Sequence, residues 1–282
     1  DWFGSRFIWI FAILTVLGLT CMIIWETMIV DDPIVDLPLL ANANLSTSMV
    51  LQFIVGFILT STTVLIPQFV QQILGYNATN AGLILMPGGF ALMVMMPVAG
   101  FLVGKFQPKY LMAFGLILTA ASMYWLTGFN TQVAFRNLVY VRVLQCIGLP
   151  LFFIPLNTIA YSNLPPGKSN NASAMMNLMR NLGGGIGISV AATLLTRRAQ
   201  FHQNRLASNA THAFRPFVNH INATGGFTAR NLIGFYQTVE IQAAMLSYLD
   251  VFKIFTIGTL LIVTLVLLLR RVKPTEKPVM VH

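Results

Sequence analysis

The chain is 282 residues long, 56% hydrophobic and only 9% charged, with a mean hydropathy of +0.74. An ordinary soluble domain carries about 25% charged residues, so this composition excludes a water-soluble two-domain protein, and its wealth of Phe, Leu, Ile and Val excludes disorder. The net charge of +9 does not point to nucleic acid, because no basic run is interleaved with aromatic residues as such a surface requires.

A transmembrane helix needs about 20 apolar residues. In chain order, apolar runs that meet this length lie at residues 7–25, 49–73, 82–104, 110–129, 137–163, 172–196 and 248–269. The runs are continuous rather than alternating, which excludes a β-barrel and predicts an all-α polytopic membrane protein with about seven transmembrane helices. Between the first two runs, Asp31, Asp32, Pro33, Asp36 and the apolar Leu37-Pro38-Leu39-Leu40 fit either a short interfacial segment or a plain connecting loop. Residues 197–247 form the only long hydrophilic stretch, and its ends, Arg197 to Leu206 and Thr228 to Ser247, fit helical extensions of the flanking spans. Lys and Arg divide evenly between the two sides, so the positive-inside rule leaves orientation open, with the short loops holding Lys105, Lys109 and Lys168 tilting that side toward the cytoplasm.

Ionisable groups inside spans are expensive and mark candidate sites. Arg180 is the deepest, and Ser173, Asn177, Arg180, Asn181 and Gly184 recur at helical spacing to make one polar stripe on the sixth span. Two readings stand for the stripe: a substrate or proton pathway, and a structural hydrogen-bond network with Arg180 snorkelling. Arg142 and Gln145 make a second polar pair on the fifth span, for which snorkelling is the simpler account. In the same span Pro150 and Pro155 interrupt the run and suit a bend. Asp250 and Lys253 open the seventh span at a spacing that allows them to pair, and spans two to six contain no Asp or Glu.

Small residues fit close helix contact. Gly183, Gly184, Gly185 and Gly187 cluster on span six, Gly100 and Gly104 stand four apart on span three just before Lys105, and Pro87-Gly88-Gly89 is expected to break the middle of span three. Phosphate-loop, metalloprotease and serine-hydrolase signatures are absent, so no enzyme activity is predicted. The two cysteines, Cys21 and Cys146, lie in apolar runs, and all four histidines lie in the long loop or the tail, so neither a metal site nor a cofactor is predicted.

Several stretches together resemble the fourteen-span drug–proton antiporters of the major facilitator superfamily, the EmrB-like permeases. They are Tyr76 to Gly82, Leu83 to Gly89, Leu164-Pro165-Pro166, Arg180 to Gly187, Thr196 to Gln203 and Leu246 to Phe252. That resemblance covers nearly the whole chain in order. It implies the C-terminal half of a permease: a linker transmembrane helix (1–25), a cytoplasmic connector (26–48), a six-helix major facilitator bundle (49–270) with 197–247 as a long periplasmic loop, and a cytoplasmic tail (271–282). It implies a multi-pass protein of the bacterial inner membrane that exports small amphipathic compounds in exchange for protons. The lipid bilayer, the missing N-terminal half, a periplasmic adaptor and an outer-membrane channel are the implied partners. Gly104 stands where the family's loop motif carries Asp, between Gly100 and the basic Lys105 and Lys109, and Ala41 to Asn44 replace the basic residues usual after the linker helix.

The expected pathway residues are therefore Asn177, Arg180 and Asn181, with Arg142, Gln145 and Asp250 as further candidates and the glycines permitting rocking. One rival is a seven-helix receptor or photosensor built on Lys253, which lacks a mid-helix position and a carboxylate counter-ion on spans two to six. A non-transporting membrane subunit is the other.

Overall fold

The computed structural model describes residues 6–28, 37–162, 164–165, 167–208, 219, 226 and 228–268. The acidic cluster at 31–36, His212 and His220, and the basic tail beyond 268 lie outside the described residues. Among the described residues the α-helices are α1 (Arg6–Met28), α2 (Ala43–Gln72), α3 (Ala78–Val103), α4 (Pro108–Leu126), α5 (Phe135–Ala160), α6 (Ser169–Ser208) and α7 (Ala229–Leu268). The chain is thus an all-α polytopic membrane protein, and α2 to α7 are each long and apolar enough to span a bilayer.

The helix starts carry specific signals. Asn42 accepts from the backbone N–H groups of Asn44 and Leu45, so α2 begins six residues before its apolar run. Asn77 caps α3 in the same way through Asn80 at 2.8 Å, and Pro108 opens α4 where its missing N–H has no partner to lose. Between α2 and α3 the chain turns at Gly75, whose φ of +69° suits glycine. Ahead of α2, Leu37–Ala41 forms a 3-10 turn that buries Leu39 against the bundle.

One expectation about proline fails: α3 runs unbroken through Pro87, Gly88 and Gly89. α5 stays helical through Pro150 and Pro155, which a bend there allows. A proline removes one helical bond and tilts the axis, but it need not unwind a helix whose neighbours hold it.

The bundle is built by pairwise packing. α2 lies on α6, α3 on α5, α4 on α5 and α7, and α6 on α7. In α2–α4 and α5–α7, taken as two sets of three, the middle helix of each set packs on the first helix of the other. The seams are made by glycine. A Cβ on Gly115 would meet the Gly148 carbonyl at 2.5 Å, and a Cβ on Gly148 would meet the Gly115 carbonyl at 2.5 Å, so α4 and α5 touch backbone to backbone. Gly183 and Gly187 stand against the carbonyls of Phe53 and Phe57, and Gly56 against that of Arg180, which sets α2 and α6 side by side and parallel. Large side chains fill the centre: Phe69, Phe152, Phe252, Met112 and Leu156 are fully buried, with Phe69 edge-on to both Tyr248 and Phe252. The Tyr248 hydroxyl donates to Gln72 at 2.9 Å and ties α7 to the end of α2. α1 stands apart, with none of its described side chains buried.

Both α6 and α7 hold 40 residues, about 60 Å of helix, twice the ~30 Å hydrocarbon thickness. Both extensions expected from the hydrophilic stretch are therefore helical. They are clasped by an ion cluster: His202 Nε2 lies 2.8 Å and Arg198 Nη1 3.7 Å from Asp250 Oδ2. Asp250 thus takes its partners from α6, and the pairing with Lys253 expected on its own helix is not formed among the described residues. The reason is reach: the packed neighbour presents two basic groups to one face of Asp250, while Lys253 is exposed.

Two outcomes are expected. Gly187→Leu forces a side chain into the Phe57 carbonyl and lowers stability by about 1–3 kcal/mol, whereas Gly185→Leu, where the space is open, leaves the melting temperature in detergent near that of the parent. Asp250→Asn removes an ion cluster worth about 1 kcal/mol and speeds amide exchange across residues 198–208 several-fold, read by hydrogen–deuterium exchange.

Candidate functional site

Two polar clusters occupy the spans. On α5, Arg142 Nη1 donates to Gln145 Oε1 at 2.7 Å, and Gln145 Nε2 donates to Thr62 Oγ1 of α2 at 3.2 Å. Gln145 is only 1% exposed, so both ends of its amide are satisfied where water is scarce. Gly88 of α3 makes room for the arginine: a Cβ there would meet Arg142 Cγ and Cys146 Sγ, each at 2.9 Å. The guanidinium bonds a residue one turn deeper into the span. The snorkelling account drawn from sequence does not by itself explain this inward bond.

On α6, Arg180 Nη2 donates to Asn177 Oδ1 at 2.9 Å, and Asn177 Nδ2 donates to the Ser173 carbonyl at 3.1 Å. Arg180, Asn177 and Asn181 are all exposed on the half-bundle, while Gly184 of the same stripe turns under α2 against Thr60. The stripe is thus divided, polar groups outward and glycine inward. The two arginine clusters sit on different helices, with no hydrogen bond joining them.

The glycines divide likewise. Gly183, Gly184 and Gly187 face α2, and Gly88 faces α5; Gly185 and Gly100 face open space, and Gly104 meets only the carbonyl of Phe101 in its own turn. Lys105 lies 4.2 Å from the centroid of the Phe101 ring, so its ammonium stays near the helix end as a cation–π contact. Pro87 is half-buried on α3. Asp250 belongs to the clasp described above, at the start of the α7 segment that packs on α2.

A cavity between α2, α4, α5 and α7, lined by Val55, Ile58, Leu116, Thr119, Phe152 and Thr259, holds about 10 Å³, room for no more than one water. Uncovered apolar surface is plentiful instead on α3, where Met86, Phe90, Met93 and Met96 are exposed, Met93 by 72%. Methionines on such a face adapt to many shapes. No cluster of three His, Cys, Asp or Glu side chains that could hold a metal occurs among the described residues.

Sequence reasoning missed two participants. Thr62 lies in an apolar run and also bonds the Leu59 carbonyl of its own helix, as span hydroxyls commonly do, so nothing in the sequence marked it. His202 was assigned to the loop, and only the shared face with Arg198, one turn before it, hinted at a common partner.

The Major Facilitator Superfamily family model matches residues 1–188. The chain is 33% identical over 220 residues to the probable multidrug resistance protein EmrY of Escherichia coli K12, covering 78% of this chain and 43% of that protein. It is 28% identical over 265 residues to the multidrug export protein EmrB of Haemophilus influenzae, covering 92% and 52%. It is 28% identical over 278 residues to the fatty acid resistance protein FarB of Neisseria gonorrhoeae, covering 97% and 54%. The chain spans about half the length of the curated relatives it matches. With six membrane-length helices packed as two interlocked sets of three, and a family match over most of its length, the chain belongs to the major facilitator superfamily.

Proposed function

We propose that this chain is the C-terminal half of an efflux transporter for small amphipathic compounds, coupled to protons and working by alternating access in the bacterial inner membrane. α1 is then the linker helix, α2 to α7 are the transporter bundle, and the 197–247 stretch with its clasp faces the periplasm. Substrate binds between this bundle and an N-terminal counterpart, and a periplasmic adaptor and outer-membrane channel fit the same scheme. The observation that carries the reading is the exposed Arg180–Asn177 pair on α6. Lipid gives a guanidinium and an amide nothing to bond, so the face that bears them requires a polar surrounding, which a water-filled path between two halves supplies.

The relatives named for multidrug export support amphipathic compounds as the cargo. Proton coupling needs a titrating group. No Asp or Glu occurs between Asp36 and Glu240, so the coupling carboxylate is either Asp250 of α7 or a group of the other half. Rocking uses the α2–α6 seam, with Gly183, Gly184 and Gly187 keeping α6 close to α2 as the bundle tilts.

In a full transporter carrying this chain, Arg180→Ala is expected to cut efflux of amphipathic dyes by about tenfold or more with membrane abundance unchanged, measured by dye accumulation and immunoblot. Undiminished export of every substrate tested would remove Arg180 from the pathway.

A further inference from the structure

The geometry points to Arg142 as a seat for a carboxylate, at the seam of α2, α3 and α5. Guanidinium offers five N–H donors, and in Arg142 only Nη1 is used, by Gln145. Nε lies enclosed and has no acceptor. Nη2 likewise has no protein acceptor, and it is not enclosed. By the covalent geometry of arginine, Nε–H and the neighbouring Nη2–H project in parallel from one edge of the plane. That edge is the fork that matches the two oxygens of a carboxylate. Neither nitrogen of that edge has a protein acceptor: Nη2 is reachable, and Nε is covered until its neighbours part.

Three features keep it free and fixed. The Gln145 amide, itself held by Thr62, takes the opposite edge of the guanidinium and locks its plane. Gly88 leaves a notch in which the arginine stem lies, with Cys146 on the other side. No acidic side chain occurs from residue 37 to 239, so none of the helices packed around Arg142 can neutralise it. A cation fixed in a span with an unused bidentate edge is a recognition element for an anion.

A carboxylate has two sources here, the acid head of an amphipathic substrate or an acidic side chain of the other half; the substrate source rests on the export reading above. The test uses the whole transporter, purified in detergent, with decanoate and decanol as probes of equal chain length and different head. Decanoate is expected to raise the melting temperature of the parent while decanol does not. Arg142→Gln should weaken decanoate binding by about 10- to 100-fold, and Arg142→Lys should retain part of the binding because it keeps charge without the fork. Gly88→Ala, which presses on the arginine stem and keeps its charge, should weaken decanoate in the same sense, so the inference does not hang on one variant.

Were decanoate to bind no better than decanol, with Arg142→Gln abolishing export of anionic and cationic compounds alike and Arg142→Lys restoring both, the carboxylate would come from the other half. A decanoate shift unchanged in Arg142→Gln and Gly88→Ala, or export of every compound unchanged in Arg142→Gln where decanoate gives no shift, overturns the seat. A decanoate shift that requires Arg142 in a protein exporting nothing would sink the export reading and leave the seat standing.

Discussion

Backbone-to-backbone contact at glycine is the constraint on which the rest of this bundle depends. In lipid the surroundings are as apolar as the side chains, so helices gain little from hiding Leu and Phe and must gain from close fit instead. The mutual approach of Gly115 and Gly148 fixes α4 on α5, and the set of Gly56, Gly183 and Gly187 fixes α2 on α6. Each seam joins one set of three helices to the other. The two sets therefore cannot slide apart without breaking contacts that no side chain can replace, and the six helices are built to move as one body.

That rigidity determines where polar groups can stand. Arg180, Asn177 and Asn181 are displayed on the outer side of α6, and Arg142 enters only because Gly88 yields it a place. α3 shows the complementary property. Its methionine-rich side is uncovered by any of the described helices, which suits a wall that meets ligands or another bundle rather than a packed core.

Much of this was legible in the residues, for a physical reason. Continuous apolar runs leave the backbone no choice but helix in a bilayer, so the runs at 49–73 through 248–269 each became one helix. The Arg180 and Asn177 pairing followed from their i, i+3 spacing. What sequence could not carry was the identity of partners across helices. Asp250 lies near Lys253 in the chain but near His202 and Arg198 in space, and Thr62 reaches Gln145 across 83 positions. Pro87 misled in the other direction: it weakens a helix locally, yet α3 runs on through it.

The absence of acidic residues from 37 to 239 has an electrical consequence. Arg142 and Arg180 are fixed positive charges of this half. Moving one elementary charge through the full membrane field is worth about 2.3 kcal/mol per 100 mV. In a bundle that swings with these charges unmatched, one direction of the swing runs against the membrane potential and the return runs with it, so the balance between its two orientations depends on voltage. In one that carries each arginine beside an anion, that balance loses the arginines' share of the voltage dependence.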